Sequence, residues 1–408
     1  MKLKQIACAL LAGTALTAAA PAFAAVPALN HVFVIMMENH GYGQILGNPY
    51  APWINKEAAS ANLATNYFAV AHPSLTNYLE IVGGSNFGVQ DDNSPDWHNA
   101  SCQPNLATGV TNNEANGNKI CPIAGSGVDA DTPAIDYTNE INGLPGVINI
   151  DGAHAYNAAP AVGMTIADQL VAAGKSWKSY QENLPATGAD RVNGSDGDFS
   201  NLTQFDANEQ ALGETTGAIV TLYAVKHNPF AYFASVQSGA NPKNSLANVV
   251  GFDGVNGLFA DLATGHVPTY SYIVPNQCHD QHGRGNGTVF CGYDPVDNGQ
   301  QAGLNPAGIA LGDLALQKIV TNIKASPVWT KGRNAIVIVW DENDYSSAPN
   351  TNQVMAIVDT SYGVHGVQSN KFYTHFDLLN TIETGLGLPC LNHACDATTT
   401  VMSDLFAK

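Results

Sequence analysis

Two uninterrupted apolar runs limit this chain more than any other feature. His31-Val32-Phe33-Val34-Ile35-Met36-Met37 and Ala335-Ile336-Val337-Ile338-Val339-Trp340 are each about one strand long and show no polar alternation. Such a run predicts a strand covered on both faces, as in a parallel sheet with helices on either side. Each run ends in acids, at Glu38-Asn39-His40-Gly41-Tyr42 and at Asp341-Glu342-Asn343-Asp344. The carboxyl ends of strands are where open α/β sheets bind ligands. Carboxylates are also ordinary at solvated turns, so these acids need company before they mean chemistry.

The chain between them alternates strand and helix patterns. Residues 52–63 read as a helix and 64–70 as a strand. Residues 165–174 read as an amphipathic helix with a glycine stop, followed by a strand over 176–180. Residues 230–236, 269–274 and 353–358 are further short strand candidates, and 311–323 and 375–386 are helices. The alternation predicts an α/β fold with a mostly parallel central sheet flanked by helices. Over 86–163 Gly, Asn, Asp and Pro dominate and periodicity disappears, which predicts a loop-rich insertion in a single domain covering 25–408.

Residues 1–24 carry the pattern of a secretory signal peptide: Lys2 and Lys4, an apolar stretch over 6–20, then Ala22-Phe23-Ala24. No segment reaches the roughly 18 apolar residues that a membrane span needs. The expectation is a periplasmic or secreted protein with no integral membrane segment. Loss of Lys2 and Lys4 takes the formal charge from −18 to −20. So acidic a chain repels nucleic acid and anionic lipid at long range, which excludes a basic-patch binder. An anionic substrate then needs a local cation. Of the 7 cysteines, Cys8 leaves with the signal. The rest fit an oxidising compartment, and the expected pairs are local: Cys102–Cys121, Cys278–Cys291 and Cys390–Cys395.

The stretch Ala71-His72-Pro73-Ser74-Leu75-Thr76-Asn77-Tyr78-Leu79 adds the company that the acids require. Leu75, Tyr78, Leu79 and Val82 recur at helical spacing, which puts Ser74 in a first turn, where amides and the helix dipole favour an anion. Taken alone, Ser74 is an N-cap. Set beside Glu38, Asp341 and Glu342, it becomes a candidate nucleophile. Converging carboxylates call for a divalent metal ion, and oxygen ligands suit Mg, Mn, Ca or Zn. Such an ion would lower the hydroxyl's pKa and neutralise phosphate charge. Two histidine clusters follow. Lys226-His227-Asn228-Pro229-Phe230 is expected to lead into a strand, and Pro275-Asn276-Gln277-Cys278-His279-Asp280-Gln281-His282-Gly283 to leave one. Asp280 and His282 alternate onto one face, and His375 at a helix start is a further candidate. A single histidine is more often structural; a dense polar cluster straight after an apolar strand is a stronger signal.

These stretches resemble the phosphoesterase family of secreted acid phosphatases and phospholipases C, a branch of the alkaline-phosphatase superfamily. The resemblance lies in the Met37-Glu38-Asn39 turn and in His72-Pro-Ser-x-x-Asn77-Tyr. It continues through 165–174 with Trp177-x-x-Tyr180-x-Glu182-Asn183-Leu184-Pro185, Lys226-His-Asn-Pro-Phe230 and Pro275-Asn276 with Asp280-x-His282. Trp340-Asp-Glu342 and Thr374-His375-Phe-x-Leu-Leu-x-Thr-Ile-Glu383 complete it. It implies an alkaline-phosphatase-like fold and a phosphoserine mechanism, with Glu38, Asn39, Asp341 and Glu342 on the metal and Ser74 as nucleophile. Asn77 would orient phosphate or the helix start. His227 and His282 would bind phosphate or protonate the leaving group, with Lys226, Asp280 and His375 on the substrate side. The family's phospholipases C usually carry Glu-Asn-Arg-Ser-Phe-Asp after the first strand. Glu38-Asn39-His40-Gly41-Tyr42 differs, which tilts the expectation toward a phosphomonoesterase acting on a small phosphoester or phospholipid head group. A phosphodiesterase or phospholipase C on the same residues is the alternative. A catalytically inactive phosphate- or lipid-binding surface protein is a third reading, although a binder needs no nucleophile. The chain departs from related sequences at Thr76, where proline is frequent, and at Asp344-Tyr345, where glycines are. A monoester dianion also demands positive charge. It is expected from His227 and His282 as imidazolium, from Lys226, and from the amides that start the Ser74 helix, with an acidic optimum as the consequence.

Overall fold

The computed structural model describes residues 26–89, 91–97, 102, 112–113, 119–124, 126–128, 160–184, 188–189, 222–283, 306–343 and 352–406. The signal pattern over 1–24, Cys291, Asp344 and Tyr345 lie outside them. No helix among the described residues is long and apolar enough to cross a membrane.

The first apolar run becomes β1 (His31–Met37), in which Val32 to Met37 are fully buried. Each such side chain contributes roughly 1.5–3 kcal/mol by leaving water. α1 (Pro52–Ser60) opens on Pro52, whose missing N–H is no loss in a first turn. It stops three residues short of the helix expected over 52–63, because Asn62 already belongs to β2 (Asn62–Phe68). Asn62 Nδ2 donates to the carbonyls of Val364 and Leu405 and its Oδ1 accepts the Val367 amide. Those distant partners draw the residue into the sheet, which no local pattern reveals. α2 (Ser74–Gly83) ends at Gly84, whose φ of 71° suits glycine. A Cβ there would also stand 2.4 Å from the Leu391 carbonyl. α3 (Ile166–Ala172) is capped by Thr165, and β3 (Trp177–Gln181) follows.

Residues 230–236 do not form the expected strand. They lie in a 3₁₀ turn (Pro229–Tyr232) and a short helix (Ala234–Gln237). A short buried apolar run has no periodicity to separate the two outcomes, and Pro229 lacks the N–H that a ladder uses. Lys226 and His227 therefore sit in a 3₁₀ turn (Val225–His227), not ahead of a strand. Beyond them come β4 (Val249–Val250), α4 (Leu258–Thr264), β5 (Tyr270–Val274) and α5 (Pro306–Ala325). β6 (Asn334–Trp340), β7 (Gln353–Thr360), β8 (Gln368–Ser369), β9 (Tyr373–Thr374) and α6 (His375–Leu386) complete the order.

The strands join in the order β8-β2-β7-β6-β1-β5-β3-β4, with β9 also on β2. From β6 to β4 every pairing is parallel. β7 runs antiparallel to both β6 and β2. With β7 reversed between them, β2 and β6 point the same way, so the carboxyl ends of β2, β6, β1 and β5 share one edge. Met37 pairs with Trp340 in the β1–β6 register, which sets Glu38 beside Asp341. Helices flank the sheet: α2 packs against α6, and α5 against α1 and α4. Within 86–163 the described strands form two small antiparallel pairs, Asn112–Asn113 with Lys119–Ile120 and Ser126–Val128 with Pro160–Val162. Cys102–Cys121 and Cys390–Cys395 are bonded as expected. Cys278 is also disulfide-bonded.

Candidate active site

Ser74 is the first residue of α2, follows the cis His72–Pro73 peptide and is fully buried. It is not the N-cap; Pro73 holds that position. Its Oγ lies 3.2 Å from Glu38 Oε2 and 3.1 Å from Glu342 Oε1 instead. A hydroxyl has one proton and can serve only one of these carboxylates at a time. The ends of β1 and β6 thus converge on one side-chain oxygen.

Each acid is held by neighbours. Asn39 adopts φ 49°, which asparagine tolerates, and its amide donates to Asp341 Oδ1 at 3.2 Å. The same Oδ1 accepts the Glu342 amide at 2.7 Å, while the buried Asp341 Oδ2 has no hydrogen-bond partner among the described residues. Glu342 Oε2 accepts Asn77 Nδ2 at 3.1 Å and stands 2.8 Å from His72 Nδ1. Asn77 Oδ1 also accepts the amides of Val70 and Ala71, and Nδ2 donates to the Ala71 carbonyl. Asn77 thereby ties the segment between β2 and α2 to Glu342. The other oxygen of Glu38, Oε1, accepts Tyr78 OH at 2.5 Å, and the Tyr78 ring stacks on His227 at 5.1 Å and 5°.

His227 stands between two carboxylates, with Nε2 3.0 Å from Glu38 Oε1 and Nδ1 3.2 Å from Asp280 Oδ2. The loop bearing Asp280 is tied to β1 directly, because the Glu38 amide donates to the Asp280 carbonyl. Glu182 Oε2 accepts the Asn276 amide at the start of that loop, and Asn183 Oδ1 accepts Asn276 Nδ2. Asp280 Oδ1 accepts the His282 amide at 2.8 Å. His282 Nδ1 faces the Gly283 carbonyl at 2.9 Å and Nε2 faces Lys226 Nζ at 3.3 Å. A carbonyl only accepts, so Nδ1 carries the proton of that contact. Lys226 in turn donates to Asp92 Oδ2 at 2.7 Å. His375 differs from expectation. Its Nε2 donates to the Asp341 carbonyl at 2.7 Å and its Nδ1 meets Tyr67 OH at 2.9 Å, so both nitrogens serve the scaffold under Asp341.

Burial raises the Glu38 carboxyl well above its ordinary range, and Asp341 and Asp280 add to the effect. Burial likewise raises Asp280 well and lifts Asp341 to about 7. His227 is held well below its ordinary value by burial, then by Lys226 and His282. The imidazolium expected at His227 is therefore disfavoured. The Leu75 amide, expected to meet phosphate, instead donates to Asp92 Oδ1 at 3.0 Å. Carboxylates packed this closely out of water need protons or a cation among them. Hard oxygens from Glu38, Asp341 and Glu342 around Ser74 fit an oxygen-ligated divalent cation. Glu38, His227 and His282 also bring one atom each within 4.8 Å of one another. That triad is a second possible place for a cation at the site.

Three members of the site carried no expectation. Tyr78 lies four residues after Ser74, and that spacing alone puts both on one helix face. His72 stands inside the same stretch. Asp92 had only the acidic pair Asp91-Asp92 to mark it, in sequence without periodicity.

A model of the Phosphoesterase family matches residues 48–389. The chain is 24% identical over 380 residues to a phosphatidylinositol-3-phosphatase of Mycobacterium tuberculosis, covering 92% of this chain and 83% of that protein. It is 23% identical over 367 residues to an acid phosphatase of Aspergillus fumigatus, covering 89% of this chain and 56% of the fungal protein. A solved structure of a protein in the alkaline phosphatase superfamily from Vibrio parahaemolyticus aligns over 91% of this chain and 71% of that one, at 12% identity and a TM-score of 0.46.

Proposed function

The chain belongs to the phosphoesterase family and is a phosphoric ester hydrolase, and from that premise we propose a secreted, metal-dependent phosphomonoesterase that works through a phosphoserine at Ser74. The observation that carries this reading is the placement of Ser74 Oγ 3.2 Å from Glu38 and 3.1 Å from Glu342. Ser74 Oγ attacks phosphorus in line with the leaving oxygen and gives its proton to this carboxylate pair. As the Oγ–P bond forms, the bond from phosphorus to the leaving oxygen breaks. His227 touches both Glu38 and Asp280 and relays a proton to the departing oxygen. Water then attacks the phosphoserine and gives one proton, through the carboxylate pair, to Oγ as the P–Oγ bond breaks, and inorganic phosphate leaves. A divalent cation held by Glu38, Asn39, Asp341 and Glu342 would neutralise phosphoryl charge and lower the pKa of the Ser74 hydroxyl.

The names of the mycobacterial and fungal relatives support monoester chemistry, and the signal-like pattern over 1–24 supports export. One observation favours a phosphodiesterase instead: Asp92 takes up the Leu75 amide and pairs with Lys226, which lowers the positive charge offered to a dianion. Acid quenching during turnover and mapping of the labelled peptide tests the mechanism, and the phosphate is expected on Ser74. Ser74→Ala, with its circular dichroism unchanged, should lose turnover by orders of magnitude; a folded variant with near wild-type activity would refute the covalent route. Chelated and metal-reloaded enzyme assayed on p-nitrophenyl phosphate and on bis(p-nitrophenyl) phosphate separates the two ester classes.

A further inference from the structure

Asp92 follows α2 and uses its two carboxylate oxygens for different purposes. Oδ1 accepts the amide of Leu75, the residue after Ser74, at 3.0 Å, and Oδ2 accepts Lys226 Nζ at 2.7 Å. The Lys226 and Asp92 side chains are 2% and 3% exposed. An ammonium taken this far out of water is costly unless a carboxylate meets it. One carboxylate therefore spans from the helix that carries the nucleophile to the fixed cation of the site. A lysine head group otherwise swings on four methylenes. Here it is held to one place, against the first turn of α2 and 3.3 Å from His282 Nε2.

We propose that Asp92 is a positioning residue for Lys226: it fixes the ammonium where it meets the phosphoryl group that Ser74 attacks. The proposal rests on the phosphoryl-transfer reading above. It assigns a substrate-binding consequence to a carboxylate that would itself repel phosphate. Asp92 acts through Lys226, and its removal should weaken phosphate even though a negative charge is lost. A merely structural or merely repulsive Asp92 gives the opposite result or none.

The test compares full-length wild type, Asp92→Asn, Lys226→Met, the double variant and Asp92→Glu, all with the same divalent metal. Inorganic phosphate is titrated by calorimetry, and KM and kcat are measured on p-nitrophenyl phosphate. Asp92→Asn should weaken phosphate and raise KM by roughly 10- to 100-fold, the size of one charge-assisted contact, with kcat changed less. Lys226→Met should do the same. The double variant should be no worse than Lys226→Met alone, because the pair acts as a unit, and Asp92→Glu should recover part of the affinity. Unchanged or tighter phosphate binding in Asp92→Asn, or losses that multiply in the double variant, would overturn the proposal. If a single variant fails to fold, the double variant, which buries neither charge, still decides: wild-type phosphate affinity in it is equally fatal. Phosphate titration needs no turnover. A wild type that binds phosphate through this pair but cleaves no ester therefore sinks the hydrolase mechanism and supports the pair, whereas a wild type blind to phosphate sinks both.

Discussion

Glu38 organises the site at the scale of single residues, since Ser74, Tyr78 and His227 all meet its two oxygens. Tyr78 fixes the orientation: it donates at 2.5 Å to the oxygen that does not face Ser74 and stacks flat on His227. Removing that donor leaves His227 as the neighbour of this oxygen and loosens the orientation of Glu38 toward Ser74. Tyr78→Phe should therefore weaken divalent-metal affinity by about 10- to 100-fold, as loss of an outer partner does, with near-UV circular dichroism unchanged. Metal titration of the apo-protein measures it, and equal affinity would show that Tyr78 only fills space. Asp341→Asn should lower metal occupancy and activity together, because Asp341 Oδ2 is a buried oxygen lacking a protein partner among the described residues; full metal loading in that variant would return the acid to a structural role. The carboxylates were legible because apolar strands end in them, and Ser74 because Leu75, Tyr78 and Leu79 recur at helical spacing after it. Asp92 was not, because a loop residue becomes functional only when the fold brings Leu75 and Lys226 to it.

The elements repeat this contrast. β1 and β6 were legible from apolar runs, and α3 from its amphipathic spacing and the glycine stop after it. The reversal of β7 was not, since a fully buried strand reads alike in either direction, and 230–236 formed turns because burial alone does not choose a backbone. α6 also carries a buried cost. Glu383 lies fully inside, and burial raises its carboxyl to about 9. In the unfolded chain a glutamate titrates near 4.3. Below about pH 4.3 both states are protonated and folding moves no proton. Between there and about 9 the unfolded chain gives up a proton that the folded protein keeps, so stability falls as pH rises, by at most about 1.4 kcal/mol per pH unit. Glu383→Gln removes this dependence while preserving shape. Calorimetric melting of both proteins should show the variant gaining on wild type from pH 5 to pH 8, and parallel curves would mean that Glu383 is ionised in the fold.

At the scale of the whole molecule, charge sets the approach of substrate. The formal charge is −18 for the full chain and −20 without residues 1–24. A phosphomonoester dianion therefore approaches against repulsion, and only the last few ångströms near Lys226 and a bound cation are attractive. Repulsion acts over the Debye length, about 30 Å at 0.01 M salt and about 10 Å at 0.1 M. Local contacts at bonding distance are screened far less. Added salt should then raise kcat/KM for a dianionic monoester, by roughly twofold between 0.01 M and 0.1 M, by removing the unfavourable part of the field. The opposite slope is normal where a cationic funnel steers an anion. A monoanionic diester should respond about half as strongly, since the work of approach scales with substrate charge. Metal concentration is held saturating throughout, so that salt does not act by stripping the cation. Steady-state kinetics with both esters across this range checks the idea. A kcat/KM that falls with salt would mean that Lys226 and the cation dominate the approach, and that the net charge of the chain is screened from its own active site.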